Sequence, residues 1–236
     1  MYNMKVVSFV ICPFVQRITA QLEAKGLPYD IEYISLRDKP QWFLEISPHG
    51  QVPLLITDNG TALFESDAIA EYIEEAYGAL QSELTAEQHA QHRAWSYLAT
   101  KNYLVQCSAQ RSPTEAQLNE RSIKLESAFA AMEKVLDDRP YFQSTTPGMV
   151  DMAWLPLLHR AALIEKHACY DFLAAYPKLK AWQQTLLASG LAEKSVAATF
   201  EQAFTEFYLS DETFLGNRGD VCSSVTDDAC ASGNCC

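Results

Sequence analysis

The stretch Ser8-Phe9-Val10-Ile11-Cys12-Pro13-Phe14-Val15-Gln16-Arg17 decides the fold. Strand-forming residues (Val6, Val7, Phe9, Val10, Ile11) run up to one cysteine, a proline follows at once, and a helical pattern begins. Proline suits the first turn of a helix, where its missing N–H would have had no intrahelical partner. The sulfur of Cys12 is thereby placed at a helix N-terminus, beside unpaired N–H groups and the positive end of the helix dipole. Both favour a thiolate over a thiol. The pattern predicts a reactive cysteine at the mouth of an α/β unit; a buried, inert thiol at a strand end is the competing local reading.

Working outward, residues 4–11 read as a strand buried on both faces. Residues 13–25 read as a helix with Val15, Ile18, Thr19 and Leu22 on one side, stopped by Gly26 and Pro28. Tyr29 to Ile34 alternates as a second strand, and the helical crossover makes the pair parallel. A short helix follows Pro40, and Ser47-Pro48-His49-Gly50 forms a turn. Residues 52–56 and 61–64 are short strands joined through Asp58-Asn59-Gly60, a tight hairpin signal. Glu65-Ser66-Asp67 then caps an amphipathic helix carrying Ile69, Tyr72, Ile73 and Ala76. Residues 1–78 are thus a βαβ–α–ββα unit.

After a linker at 79–85 the composition changes. Nothing from 86 to 208 reads as a strand, and helices are expected near 86–109, 115–138, 149–164, 177–188 and 192–208, an all-α domain. Residues 209–236 have few large apolar side chains and are expected to be a flexible, acidic, Cys-rich tail.

Net charge is −12 with no basic stripe, which argues against nucleic acid as a partner. No apolar run approaches the roughly 20 residues of a membrane helix, and the first residues lack the layout of a secretory signal. No membrane association and a cytoplasmic location are the expectation. Seven cysteines, an odd count without an export signal, imply at least one free thiol. Four crowd the tail (Cys222, Cys230, Cys235, Cys236) and read three ways: soft-metal ligands, a tethered redox relay to Cys12, or thiols with no specific task. The five histidines show no ligand-like grouping, so no metal is required.

The ordered set Cys12-Pro13-Phe14, Asp38-Lys39-Pro40-Gln41-Trp42-Phe43, Pro48-His49-Gly50-Gln51-Val52-Pro53 and Phe64-Glu65-Ser66 resembles the cytosolic glutathione transferases, most of all their omega-type and dehydroascorbate-reductase-like, cysteine-using branch. The resemblance is dense over residues 5–78, continues more loosely to about 208 and does not reach the tail. It implies a thioredoxin-like, glutathione-binding N-terminal domain and an all-α C-terminal domain. It also implies glutathione as co-substrate and a homodimer. Cys12 would form a mixed disulfide with glutathione, and Phe14 would shield the sulfur from water. Lys39 would pair with the glycyl carboxylate, and Val52, before a cis Pro53, would offer its backbone edge to the cysteinyl part. Glu65 and Ser66 would hold the γ-glutamyl end, a carboxylate at a helix start and an ammonium on a glutamate. Taken singly, Lys39 is an ordinary solvated lysine and Glu65-Ser66 an ordinary cap; their joint order carries the weight.

Two positions depart from related patterns. A second cysteine three residues on is replaced by Val15, which favours monothiol chemistry completed by free glutathione or by another cysteine. The capping box of the buried helix reads Gly148-Met149-Val150-Asp151, so Asp151 is expected to be structural. The expected activity is glutathione-dependent thiol transfer or reduction on small oxidised or electrophilic substrates (dehydroascorbate, mixed disulfides, quinone or S-conjugates). Trp95, Tyr97, Tyr103, Trp154 and Arg160 are candidate walls of the second-substrate pocket. The rival reading is a non-enzymatic binding protein on the same fold, like stringent starvation protein A, a partner of RNA polymerase. Cys12-Pro13-Phe14 speaks against it.

Overall fold

The computed structural model describes residues 4–218. Four strands, β1 (Met4–Ser8), β2 (Tyr29–Tyr33), β3 (Leu54–Ile56) and β4 (Ala62–Phe64), form one mixed sheet in the order β2-β1-β3-β4. β1 and β2 are parallel, as a helical crossover requires, while β3 is antiparallel to both β1 and β4. This is the expected thioredoxin-like arrangement.

The strand expected over 4–11 stops at Ser8. The Cys12 N–H bonds back to the Phe9 carbonyl at 3.2 Å, so residues 9–11 form a turn that lifts Cys12 clear of the sheet. α1 (Pro13–Lys25) follows with proline in its first turn. It ends where Gly26, at φ 64°, adopts the left-handed conformation that lets its N–H reach the Glu23 carbonyl and the Leu27 N–H reach Leu22. α2 (Gln41–Ile46) and α3 (Ser66–Tyr77) complete the unit. Met4, Val6, Ile18, Leu22, Leu55, Ile69 and Ile73 are fully buried between the sheet and α1 and α3.

The remainder is helical: α4 (Ala86–Gln110), α5 (Glu115–Val135), α6 (Met149–Ala168), α7 (Pro177–Ala188), α8 (Leu191–Lys194) and α9 (Phe200–Tyr208). Thr85 and Gln88 cap α4 reciprocally. α6 is buried along most of its length and packs on α1, α4 and α7, so it is the axis of the helical half and its contact with the first. Asp151, buried in its first turn, accepts from the Gly148 and Phe142 N–H groups and from Trp182 Nε1, the structural role expected of it. Burial pushes its carboxyl up to about 6 against those three donors.

The helix expected over 192–208 is two helices. Thr19 Oγ1 donates to the Ser195 carbonyl at 2.6 Å, which takes that carbonyl out of helical bonding and turns the chain between α8 and α9. The segment expected to be flexible from 209 packs against the body as far as 218. Thr213 and Leu215 are buried, and the Phe214 N–H bonds the Ser112 carbonyl. Gly216 lies against the Leu209–Ser210 backbone with no room for a Cβ. Cys222, Cys230, Cys235 and Cys236 lie outside the described residues.

Candidate active site

Cys12 is the N-cap of α1, in an extended conformation with φ −75° and ψ 119°. Its side chain is 5% exposed and forms part of the floor of a cavity of about 850 Å³. The same cavity is lined by Phe14, Lys39, Val52, Pro53, Glu65 and Ser66, so the structure brings together the six residues singled out for glutathione.

Their settings differ. Lys39 is half-buried and takes part in no ion pair among the described residues. The Val52–Pro53 bond is cis. Val52 lies just outside the pairing of β3, which begins at Leu54, and lines the cavity. Glu65 is exposed at φ 67°, a region non-glycine residues rarely occupy, and its carbonyl takes the Ile69 N–H at 2.9 Å to start α3. Ser66 is the first residue of that helix, where N–H groups lack intrahelical acceptors. Phe14 packs edge-on against Tyr103, with ring centroids 5.0 Å apart.

The electrostatics of Cys12 differ from the expectation. Burial pushes its thiol up to about 11, against the opposing effects of the Val15 and Phe14 N–H groups and the Arg160 cation. The helix start is in place, but desolvation of the charged form is the larger effect.

None of the five residues expected to wall the second-substrate pocket lines this cavity. Trp154 and Tyr103 are fully buried, Trp154 Nε1 donating to the Trp95 carbonyl and the Tyr103 hydroxyl to Ala153 O at 2.5 Å. Trp95 packs beside Phe142, and Tyr97 stands on the outer face of α4. Arg160 lies beneath the site, fully buried, donating to Gln16 Oε1 at 2.5 Å, Pro156 O at 3.0 Å and Ile11 O at 3.1 Å. Aromatic content signals burial at least as strongly as ligand contact, and here burial prevails. The helical wall is instead Leu104 and Cys107 of α4 with Phe207 and Tyr208 of α9. No local pattern marks these four, because α9 reaches the cavity only after the chain turns at Ser195.

No group of three or more His, Cys, Asp or Glu side chains able to hold a metal is found among the described residues. No helix there is long and apolar enough to cross a membrane.

Comparison with known proteins agrees with this geometry. Residues 11–76 match the family profile "Glutathione S-transferase, N-terminal domain" and residues 115–183 match "Glutathione S-transferase, C-terminal domain". The chain is 30% identical over 214 residues to mouse (Mus musculus) glutathione S-transferase omega-1, covering 89% of this chain and 87% of the relative. It is 50% identical over 66 residues to Arabidopsis thaliana glutathione S-transferase DHAR2, covering 28% and 30% of the two chains. Among solved structures, glutathione transferase Omega 3C from Trametes versicolor superposes with a TM-score of 0.71 at 23% identity, over 82% of this chain and 89% of that one. Two matched halves in the right order, and one relative similar along nearly the whole length, settle the family: this chain belongs to the glutathione S-transferases.

Proposed function

We propose that this glutathione transferase is a thiol transferase and reductase that works through a Cys12–glutathione mixed disulfide on small oxidised or electrophilic substrates. The observation that carries the reading is Cys12 at the start of α1, on the floor of a cavity that also holds Lys39, Val52, Glu65 and Ser66. These groups match the ends of glutathione: a cation for the glycyl carboxylate, a backbone edge for the central residue, and a carboxylate with a helix N-terminus for the γ-glutamyl ammonium and carboxylate. Relatives named omega-1 and DHAR2 support the cysteine-based branch.

In the proposed cycle the Cys12 sulfur attacks a glutathionylated disulfide. It takes the glutathionyl sulfur and releases the other partner as a thiol. A second glutathione attacks the mixed disulfide, and glutathione disulfide leaves with Cys12 restored. Dehydroascorbate, mixed disulfides, and quinone or S-conjugates are the substrate classes. Apolar Leu104 and Phe207, exposed in the lining of the same cavity, suit a second substrate with an apolar body. The same reading makes the protein cytoplasmic and dimeric.

A panel of dehydroascorbate, a glutathionylated disulfide, a quinone conjugate and an aryl halide tests this. Turnover is expected with the first three, and Cys12→Ser is expected to lower it by about 100-fold or more. Undiminished thiol transfer by Cys12→Ser, or an aryl halide preferred over all the others, overturns the reading.

A further inference from the structure

We propose that Cys107 resolves the mixed disulfide at Cys12, so that the enzyme passes through an internal Cys12–Cys107 disulfide joining its two halves. This rests on the reading of Cys12 as the sulfur that carries the glutathionyl group. With valine at position 15, the α1 motif itself offers no second thiol. The cavity does. Cys12 and Cys107 are both free thiols, and both line the same cavity, one from the start of α1 and the other from the wall formed by α4. α1 and α4 pack against each other, so the two sulfurs are carried by elements already in contact.

The surroundings of Cys107 suit a nucleophile. It is half-buried and lines the cavity together with Tyr208. The Arg160 cation, buried beneath the site, acts electrostatically on the Cys12 sulfur.

The step balances. Cys107 gives up its proton, and its sulfur attacks the Cys12 sulfur of the mixed disulfide. The Cys12–Cys107 bond forms, the bond to glutathione breaks, and glutathione leaves with the electron pair and a proton as a thiol. Cys107 is oxidised and the glutathionyl sulfur is reduced. Closure asks for Cβ atoms about 3.8 Å apart. Two further glutathiones reopen the bond: the first attacks the Cys107 sulfur and frees Cys12 as a thiol, and the second attacks the resulting Cys107–glutathione disulfide and departs as glutathione disulfide with Cys107 restored.

The full-length protein, reduced and then treated with excess glutathione disulfide, provides the test. Samples are quenched with acid, alkylated and peptide-mapped by mass spectrometry, in parallel for Cys107→Ser. The expected result is a Cys12–Cys107 linked peptide in the native chain, and glutathionylated Cys12 accumulating at least about tenfold more in Cys107→Ser. Stable glutathionylation of Cys12 to the same extent in both, with no linked peptide, overturns the role of Cys107 and leaves the proposed function standing. No glutathionyl group on Cys12 in either overturns both.

Discussion

At Cys12 two physical effects oppose each other. A helix start and two N–H groups draw the thiol toward ionisation, while burial holds it up at about 11. In the free protein the rate of alkylation at Cys12 is therefore expected to climb about tenfold per pH unit from pH 7 to 10. Timed iodoacetamide labelling with peptide mapping measures this, and a plateau below pH 9 contradicts it. Lys39 allows a second measurement. Without an ionic partner in the described structure, it is free to meet a carboxylate, so Lys39→Ala should raise the KM for glutathione roughly tenfold while kcat changes little. Steady-state kinetics with varied glutathione separates the two parameters. That Cys12, Lys39, Val52, Glu65 and Ser66 share one cavity was legible in the sequence: Cys12 from the strand–proline–helix pattern, the others from the ordered set of motifs and not from any one of them. The charge state of Cys12 was not, since desolvation depends on everything packed above the sulfur.

Among the elements, the start of α3 carries a visible strain. Glu65 holds φ 67° without the freedom of glycine, at the position proposed to meet an ammonium. Glu65→Gly is expected to stabilise the fold by about 1 kcal/mol and to weaken glutathione binding severalfold. Urea unfolding and calorimetric titration read the two effects, and a loss of stability would count against stored strain. The element boundaries divide along the same physical line. α1 was predicted from Pro13 to Lys25 and is found there, because proline and Gly26 set its ends locally. The split between α8 and α9 was missed, since the Ser195 carbonyl is taken by Thr19, 176 residues away in sequence. The α9 part of the pocket wall, Phe207 and Tyr208, was missed for the same reason: it is supplied by the returning chain.

For the whole molecule, the contact between the halves is polar as well as apolar. His159 of α6 is buried, bonded to Gln16 Nε2 at 2.8 Å and stacked on Phe200. Burial, helped by the neighbouring Arg160 cation, pushes its imidazole down to about 3. A histidine that stays neutral when folded but protonates near 6.5 when unfolded makes the unfolded chain bind more protons between those values. Stability is then full above pH 6.5 and falls as the pH drops toward 3, by an amount on the order of 4 kcal/mol. Urea melts across that range should show the decline, and His159→Gln should flatten it; an unchanged slope in the variant would assign acid sensitivity elsewhere.

Arg160 extends this coupling to descent. A cation on the central helix of one half reaches through the contact to hold the Ile11 carbonyl, one residue before the Cys12 sulfur of the other half, with Gln16 sharing the load. Buried and hydrogen-bonded to neutral acceptors, it is a costly group to retain alone. A gene fusion that exchanged one half for a distant relative's would strand either the guanidinium or its acceptors. The two halves are therefore expected to be inherited as a matched pair, with change at position 16 or 160 tied to change at the other.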